Sequence, residues 1–139
     1  MSEWHEEARE EYKKIGEVAC PAFPNEMVVF NAKGFSHLMY QGSSKEKARP
    51  EKEARNRVEL VGRAVKLLRM MPLPQEESTY EFEGKKYRYW AFEAVVDDKR
   101  IKVVVRQCGN GKKHFWSVIP AWRKTRFETR NARGSLRKI

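Results

Sequence analysis

The sequence predicts an α+β domain in which N-terminal helices pack on one face of a four-stranded antiparallel sheet. Three observations carry that expectation. Helical periodicity dominates the chain as far as Met71, strand-like alternation begins after the PLPQ segment at 72–75, and each gap between the later strands is short enough for a hairpin.

Residues 2–18, SEWHEEAREEYKKIGEV, read as a helix with Ser2 as N-cap, acids in the first turns and lysines later, in keeping with the helix macrodipole. Pro21 and Pro24 end it. Residues 27–31, MVVFN, form a short strand or extended lead-in, after which Asn31 can cap a short helix, AKGFSHLMYQ, with Phe35, Leu38 and Met39 on its apolar side. Gly42, Ser43 and Ser44 break that helix. The clearest helix runs from Pro50 to Met71, where Ala54, Val58, Val61, Val65 and Leu68 keep the spacing of a core stripe. Lys52, Arg55, Glu59, Arg63 and Lys66 gather on roughly the opposite side of it, as a basic ridge for a polyanion or as a solvated face with i,i+4 ion pairs.

A short strand from Thr79 ends at a turn at Glu83 and Gly84. A long strand follows from Lys86 to Val96, then a turn at Asp97 and Asp98, a third strand RIKVVVRQC, and a fourth, HFWSVIP, over 114–120. In the long strand Trp90, Phe92, Ala94 and Val96 share the face expected to meet the helices, while Tyr87, Tyr89, Ala91 and Glu93 share an open face suited to binding. Residues 1–122 make a single domain, and 123–139 form a basic tail that adds charge more than fold.

Charge narrows the function. The 139 residues carry 29 Lys and Arg against 19 Asp and Glu, a formal net charge of +10, which favours nucleic acid through phosphate contacts and counterion release. With 40% apolar and 12% aromatic residues the chain is expected to fold rather than act as a disordered basic tail. No apolar run has the length of a membrane span and the acidic N-terminus is unlike a signal peptide, so a cytoplasmic protein without a membrane partner is expected. Cys20 and Cys108 belong to no CxxC or Cys/His cluster, so neither a disulfide framework nor a metal site is indicated, and no cofactor is expected. Zinc-protease, serine-hydrolase and dinucleotide signatures are absent, and GNGKKH lacks P-loop spacing.

RNA can be cut without a metal if one group takes the 2′-OH proton, another protonates the leaving 5′-oxygen, and cations stabilise the phosphorane. Of the three histidines, His5 reads as a surface residue, His37 lies on the short helix, and His114 opens the last strand. His37 is either a gap-filling core histidine or an acid/base. Arg106 closes the third strand, reaching solvent or holding a phosphate bidentately. Ser117 either makes room for a large neighbour or donates to a phosphate oxygen. Glu93, a carboxylate in an apolar strand, is a further candidate base because desolvation raises carboxylate basicity.

A histidine in FSHLMYQG, then a basic helix, then a meander ending in KKHFWSVIP resembles the barnase/EndoU/colicin/RelE-like RNase superfamily over about residues 27–122, especially its phage-borne and polymorphic-toxin branches. The resemblance implies metal-independent RNA cleavage with a helix-borne His, a strand-borne Arg or Lys and a Ser or Thr in the last strand. Those positions are His37, Arg106 and Ser117 here, with His114 and Lys113 as alternatives. The crowding of Lys112, Lys113 and His114 departs from the pattern and leaves the acid/base pair open. The reading is therefore a toxin-like endoribonuclease acting by 2′-OH transesterification, with RNA and an inhibitor or antitoxin protein as partners. Lys112, Lys113, Lys52, Arg55, Arg63, Lys66, Tyr87 and Tyr89 are its expected RNA contacts. The competing reading is a non-catalytic RNA- or DNA-binding module using the same ridge with Tyr87, Tyr89 and Trp116 for stacking. A basic scaffold or ribosome-associated protein is a third.

Overall fold

Three helices and six strands follow one another in the order α1 (Glu3–Lys13), β1 (Glu17–Ala19), β2 (Met27–Val29), α2 (Ala32–Met39), α3 (Glu51–Met70), β3 (Glu76–Phe82), β4 (Lys85–Val96), β5 (Lys99–Cys108) and β6 (His114–Pro120). This computed structural model describes residues 3–41, 47–120 and 139. Ser2, the breaker residues 42–44, and the basic tail apart from Ile139 lie outside the described residues. The Ile139 amide donates to the Val95 carbonyl and its own carbonyl accepts from Asp97, so this residue sits against the end of β4.

The α+β class holds, but the sheet is larger than four strands and is mixed. Its order is β1-β2-β6-β5-β4-β3. The expected meander, β3 to β6, is antiparallel throughout. Its two tight turns rest on residues with positive φ, Glu83 and Gly84 (51° and 77°) and Asp97 and Asp98 (47° and 64°), the backbone hand that matches the strand twist. The extra strands form an antiparallel β1-β2 hairpin that joins β6 in parallel through Val29, whose amide donates to the Lys113 carbonyl at 2.9 Å. The first helix is correspondingly shorter than expected. Gly16, at φ 67°, lets the chain leave α1 in a left-handed turn, and residues 17–19 become β1.

On one sheet face Trp90, Phe92, Ala94, Val96, Ile101, Val103, Val105, Phe115 and Val118 are buried, as the alternation of β4 predicts. They join Leu60, Ala64, Leu67 and Leu68 of α3 in one apolar cluster. Full burial of Phe92 and Phe115 contributes about 2–3 kcal/mol each relative to exposure.

Asn31 caps α2, its Oδ1 accepting from the Gly34 amide at 3.2 Å, and Phe35, Leu38 and Met39 are buried as expected. Gly34 sets how closely α2 lies on β6. A Cβ at this position would collide with the Phe115 carbonyl and the Tyr12 hydroxyl, so only glycine allows the approach that carries His37 to the strand.

Candidate functional site

The cluster begins with an irregularity in β6. Val105 pairs with Phe115 and the adjacent Val104 pairs with Ser117, so Trp116 is an extra, bulged residue. With plain alternation Ser117 would lie on the face opposite His114. The bulge instead brings Ser117, through Val104, to the face that carries Arg106 and His114, which are paired directly.

Trp116 is the hub. The His37 ring stacks on it at 4.2 Å between centroids with 19° between planes, and the Arg106 guanidinium carbon lies 3.6 Å from its ring centre. Arg106 Nε donates to His114 Nε2 at 3.1 Å, and His114 also meets Trp116 edge-on at 6.2 Å. Arg106 lies over the Tyr87 ring at 5.6 Å and near enough to the Tyr89 hydroxyl for its charge to act on it, and Tyr89 shares a 3.1 Å hydroxyl contact with Tyr80. The open-face tyrosines are thus attached to the cluster. Burial and then the hydrogen bond with Tyr80 raise the Tyr89 hydroxyl to about 12 against the opposing influence of Arg106, which keeps it protonated at neutral pH.

From α3 and the residue before its cap come two further arginines that sequence reasoning did not single out. Arg49 donates to the His37 carbonyl at 3.0 Å and approaches His37 Nε2 at 3.5 Å. Because a guanidinium can only donate, Nε2 faces it as an acceptor. Arg57 donates to Ser117 Oγ at 3.2 Å. Glu53 bridges the two, 3.1 Å from Arg49 and 3.5 Å from Arg57. Arg57 had a legible signal, a charge lying between Ala54 and Val61 on the apolar stripe. Arg49 had none, since its role depends on a fold-back of the chain.

Two guanidiniums, Arg49 and Arg57, therefore share the Glu53 carboxylate, and among the described residues none of the ion pairs includes Arg106. Burial, reinforced by the neighbouring charge of Arg49, holds the Arg57 pKa below its ordinary value despite Glu53. Buried positive charge without a counter-charge is costly, and an anion offsets that cost.

His114 is buried and its pKa is pushed down to about 4, first by desolvation and then by the Arg106 charge, against a hydrogen bond with the Lys112 backbone. It is neutral at pH 7, and its Nε2 lone pair is already taken by Arg106. His114 therefore orients Arg106 and does not fit the acid/base role expected of it. Glu93 is also committed elsewhere. It accepts from Arg100 Nε at 2.7 Å and pairs in register with Lys102, four residues along β5 from Arg106. Lys113 does not fit a phosphate contact: it is buried, its Nζ is 2.8 Å from both Glu26 oxygens, and it lies over the Phe23 and Trp90 rings on the core side. Lys112 is exposed beside it.

Lys52, Arg55 and Lys66 are exposed on α3 and Arg63 is half-buried, on a different side of the helix from Arg57. Arg55 lies over the Trp4 ring and pairs with Glu51, and Lys66 pairs with Asp97 at 2.7 Å. These cations lie on the side of α3 away from Arg57 and the cluster, two of them in ion pairs. Among the described residues no helix is long and apolar enough to cross a membrane, and no group of three His, Cys, Asp or Glu is placed to hold a metal ion. Comparison of the chain with models of protein families, with curated proteins and with solved structures finds no match in any of the three.

Proposed function

We propose that the protein is an endoribonuclease that cleaves RNA by 2′-OH transesterification at the Trp116 cluster. One observation carries this reading: His37, Arg106 and Ser117, distant in sequence, meet around Trp116 in a setting with more cations than carboxylates. Arg106 and Arg57 bind the scissile phosphate and offset the charge that grows on the phosphorane. His37 takes the 2′-OH proton, O2′ attacks phosphorus, and the bond to O5′ breaks. The Tyr89 hydroxyl, held beside Arg106, gives its proton to the leaving oxygen. Ser117 contributes a hydrogen bond to the phosphate, and His114 positions Arg106.

A second reading, a non-catalytic RNA-binding surface, is favoured by the burial of Arg106, His114 and Ser117 and by their bonds to one another and to Arg57. The two part in one assay. Purified protein is incubated with tRNA, ribosomal RNA and single-stranded RNA in EDTA, and the ends are analysed. Products ending in 2′,3′-cyclic phosphate, with DNA of the same sequence intact, are expected. Cleavage that requires added Mg²⁺ overturns the mechanism, and RNA binding without cleavage leaves the binding surface.

A further inference from the structure

Away from the Trp116 cluster, a cavity of about 300 Å³ lies between α1 and α2. That is the low end of the roughly 300–1,000 Å³ that small-molecule sites span, and its mix of aromatic wall and few polar groups is the usual make-up of such sites. Phe35 and Tyr40 supply aromatic wall, Ser36 a hydroxyl, and His5, Arg9 and Lys13 the basic side, with no carboxylate among the lining residues.

That charge is selected by the helix, not by composition. His5, Arg9 and Lys13 fall within about 100° of the arc of α1, while Glu3, Glu6, Glu7, Glu10 and Glu11 take the rest. An acidic helix thus turns its basic side to the cavity. Arg9 lies over the Phe35 ring at 5.7 Å and His5 meets the same ring edge-on at 5.6 Å, so cations and aromatic wall are adjacent. His5, expected at the surface, is half-buried, and its Nδ1 is enclosed without a hydrogen-bond partner among the described residues. A cavity with cations along one side and aromatic rings along the other suits a ligand carrying both a flat ring and an anion.

We propose that this cavity binds a nucleotide, with the base against the Phe35 and Tyr40 wall and the phosphate held by Arg9 and Lys13. The inference does not rest on RNA cleavage, and the nucleotide comes either free or as one unit of an RNA strand.

Calorimetric titration of the full chain with AMP, UMP, adenosine and inorganic phosphate tests it, with NMR of the His5 ring as a site-specific readout. AMP or UMP is expected to bind at least about tenfold more tightly than adenosine or phosphate, to shift the His5 resonances, and to lose at least about tenfold in affinity in Arg9→Ala/Lys13→Ala. Both substitutions are on α1 and leave the buried Tyr12 in place, and a circular dichroism melt confirms folding. A short single-stranded RNA that displaces AMP and shows the same Arg9 dependence identifies the strand as the source; failure to displace identifies the free nucleotide. No binding at millimolar nucleotide, or binding lost in Arg106→Ala but unchanged in Arg9→Ala/Lys13→Ala, overturns the proposal.

Discussion

Lys113 and His114 are neighbours in the chain and lie toward opposite faces of the sheet, and the two faces treat positive charge differently. On the core side Lys113 is neutralised by Glu26 and covered by Phe23 and Trp90. On the other side Arg106 is held by His114, Tyr89 and Trp116, neutral groups that fix its direction and leave its charge uncompensated. A buried ion pair is a structural element; a buried, oriented cation without a carboxylate leaves its charge to be offset, and it is here that we propose a phosphate binds. The difference explains why Lys113, one of the most conspicuous charges in the sequence, is not where phosphate binding is proposed.

The sharpest way to break this contrast is to remove each cation. Arg106→Ala is expected to lower RNA cleavage by at least about a hundredfold, the scale of lost electrostatic catalysis, and to cost about 1–2 kcal/mol of stability by leaving the buried His114 Nε2 unpaired. Lys113→Ala is expected to leave cleavage within about threefold of wild type and to cost about 2–3 kcal/mol of stability in urea unfolding, because it strips an ion pair and two ring contacts from a buried stem. Equal losses of cleavage in the two variants would erase the distinction.

Acid sharpens it from the other side. His114 resists protonation in the fold, while the unfolded chain takes up that proton near pH 6.5. Below that value the unfolded state binds more protons, so stability contributed by neutral His114 is complete above about pH 6.5, declines as pH falls, and is gone by about pH 4. The decline is on the order of 3 kcal/mol. His114→Asn is expected to remove it, so the stability difference between wild type and variant, followed by denaturant unfolding from pH 7 to 4, should narrow with acid. A constant difference would mean that His114 is not held neutral.

The smallest effect belongs to Ser117→Ala, which removes the acceptor of Arg57. A loss of about 1 kcal/mol in stability and less than about tenfold in cleavage is expected. A larger loss of cleavage than Arg106→Ala gives would move the centre of the site from Arg106 to Ser117.

Local chemistry made much of the fold legible. Asn31 announced α2, the stripe from Ala54 to Leu68 announced α3, and the pairs Glu83-Gly84 and Asp97-Asp98 announced the hairpins. Signals of that kind need only a few neighbouring residues. The MVVFN segment announced β2, but β1 was hidden because three residues after an amphipathic helix carry no strand period of their own, although Gly16 marks where the helix stops. The parallel join of β2 to β6 and the pairing of Lys113 with Glu26 link distant segments, and no spacing encodes them. At the site, residue type was enough to nominate His37, Arg106 and Ser117. Their convergence depends on a bulge at Trp116 that no glycine flags and on the contact permitted by Gly34. The roles of His114 and Glu93 turned on partners, Arg106 and Arg100, that only the paired strands reveal.

The account rests on His37 moving a proton beside an oriented Arg106, and comparing RNA cleavage with RNA binding in His37→Ala tests that most directly. Wild-type protein in EDTA is expected to release 2′,3′-cyclic phosphate ends, and His37→Ala to bind the same RNA within about threefold while cleaving it at least about a hundredfold more slowly. A folded His37→Ala that cuts at the wild-type rate, or a wild-type protein that binds the RNA and leaves it whole, would contradict it.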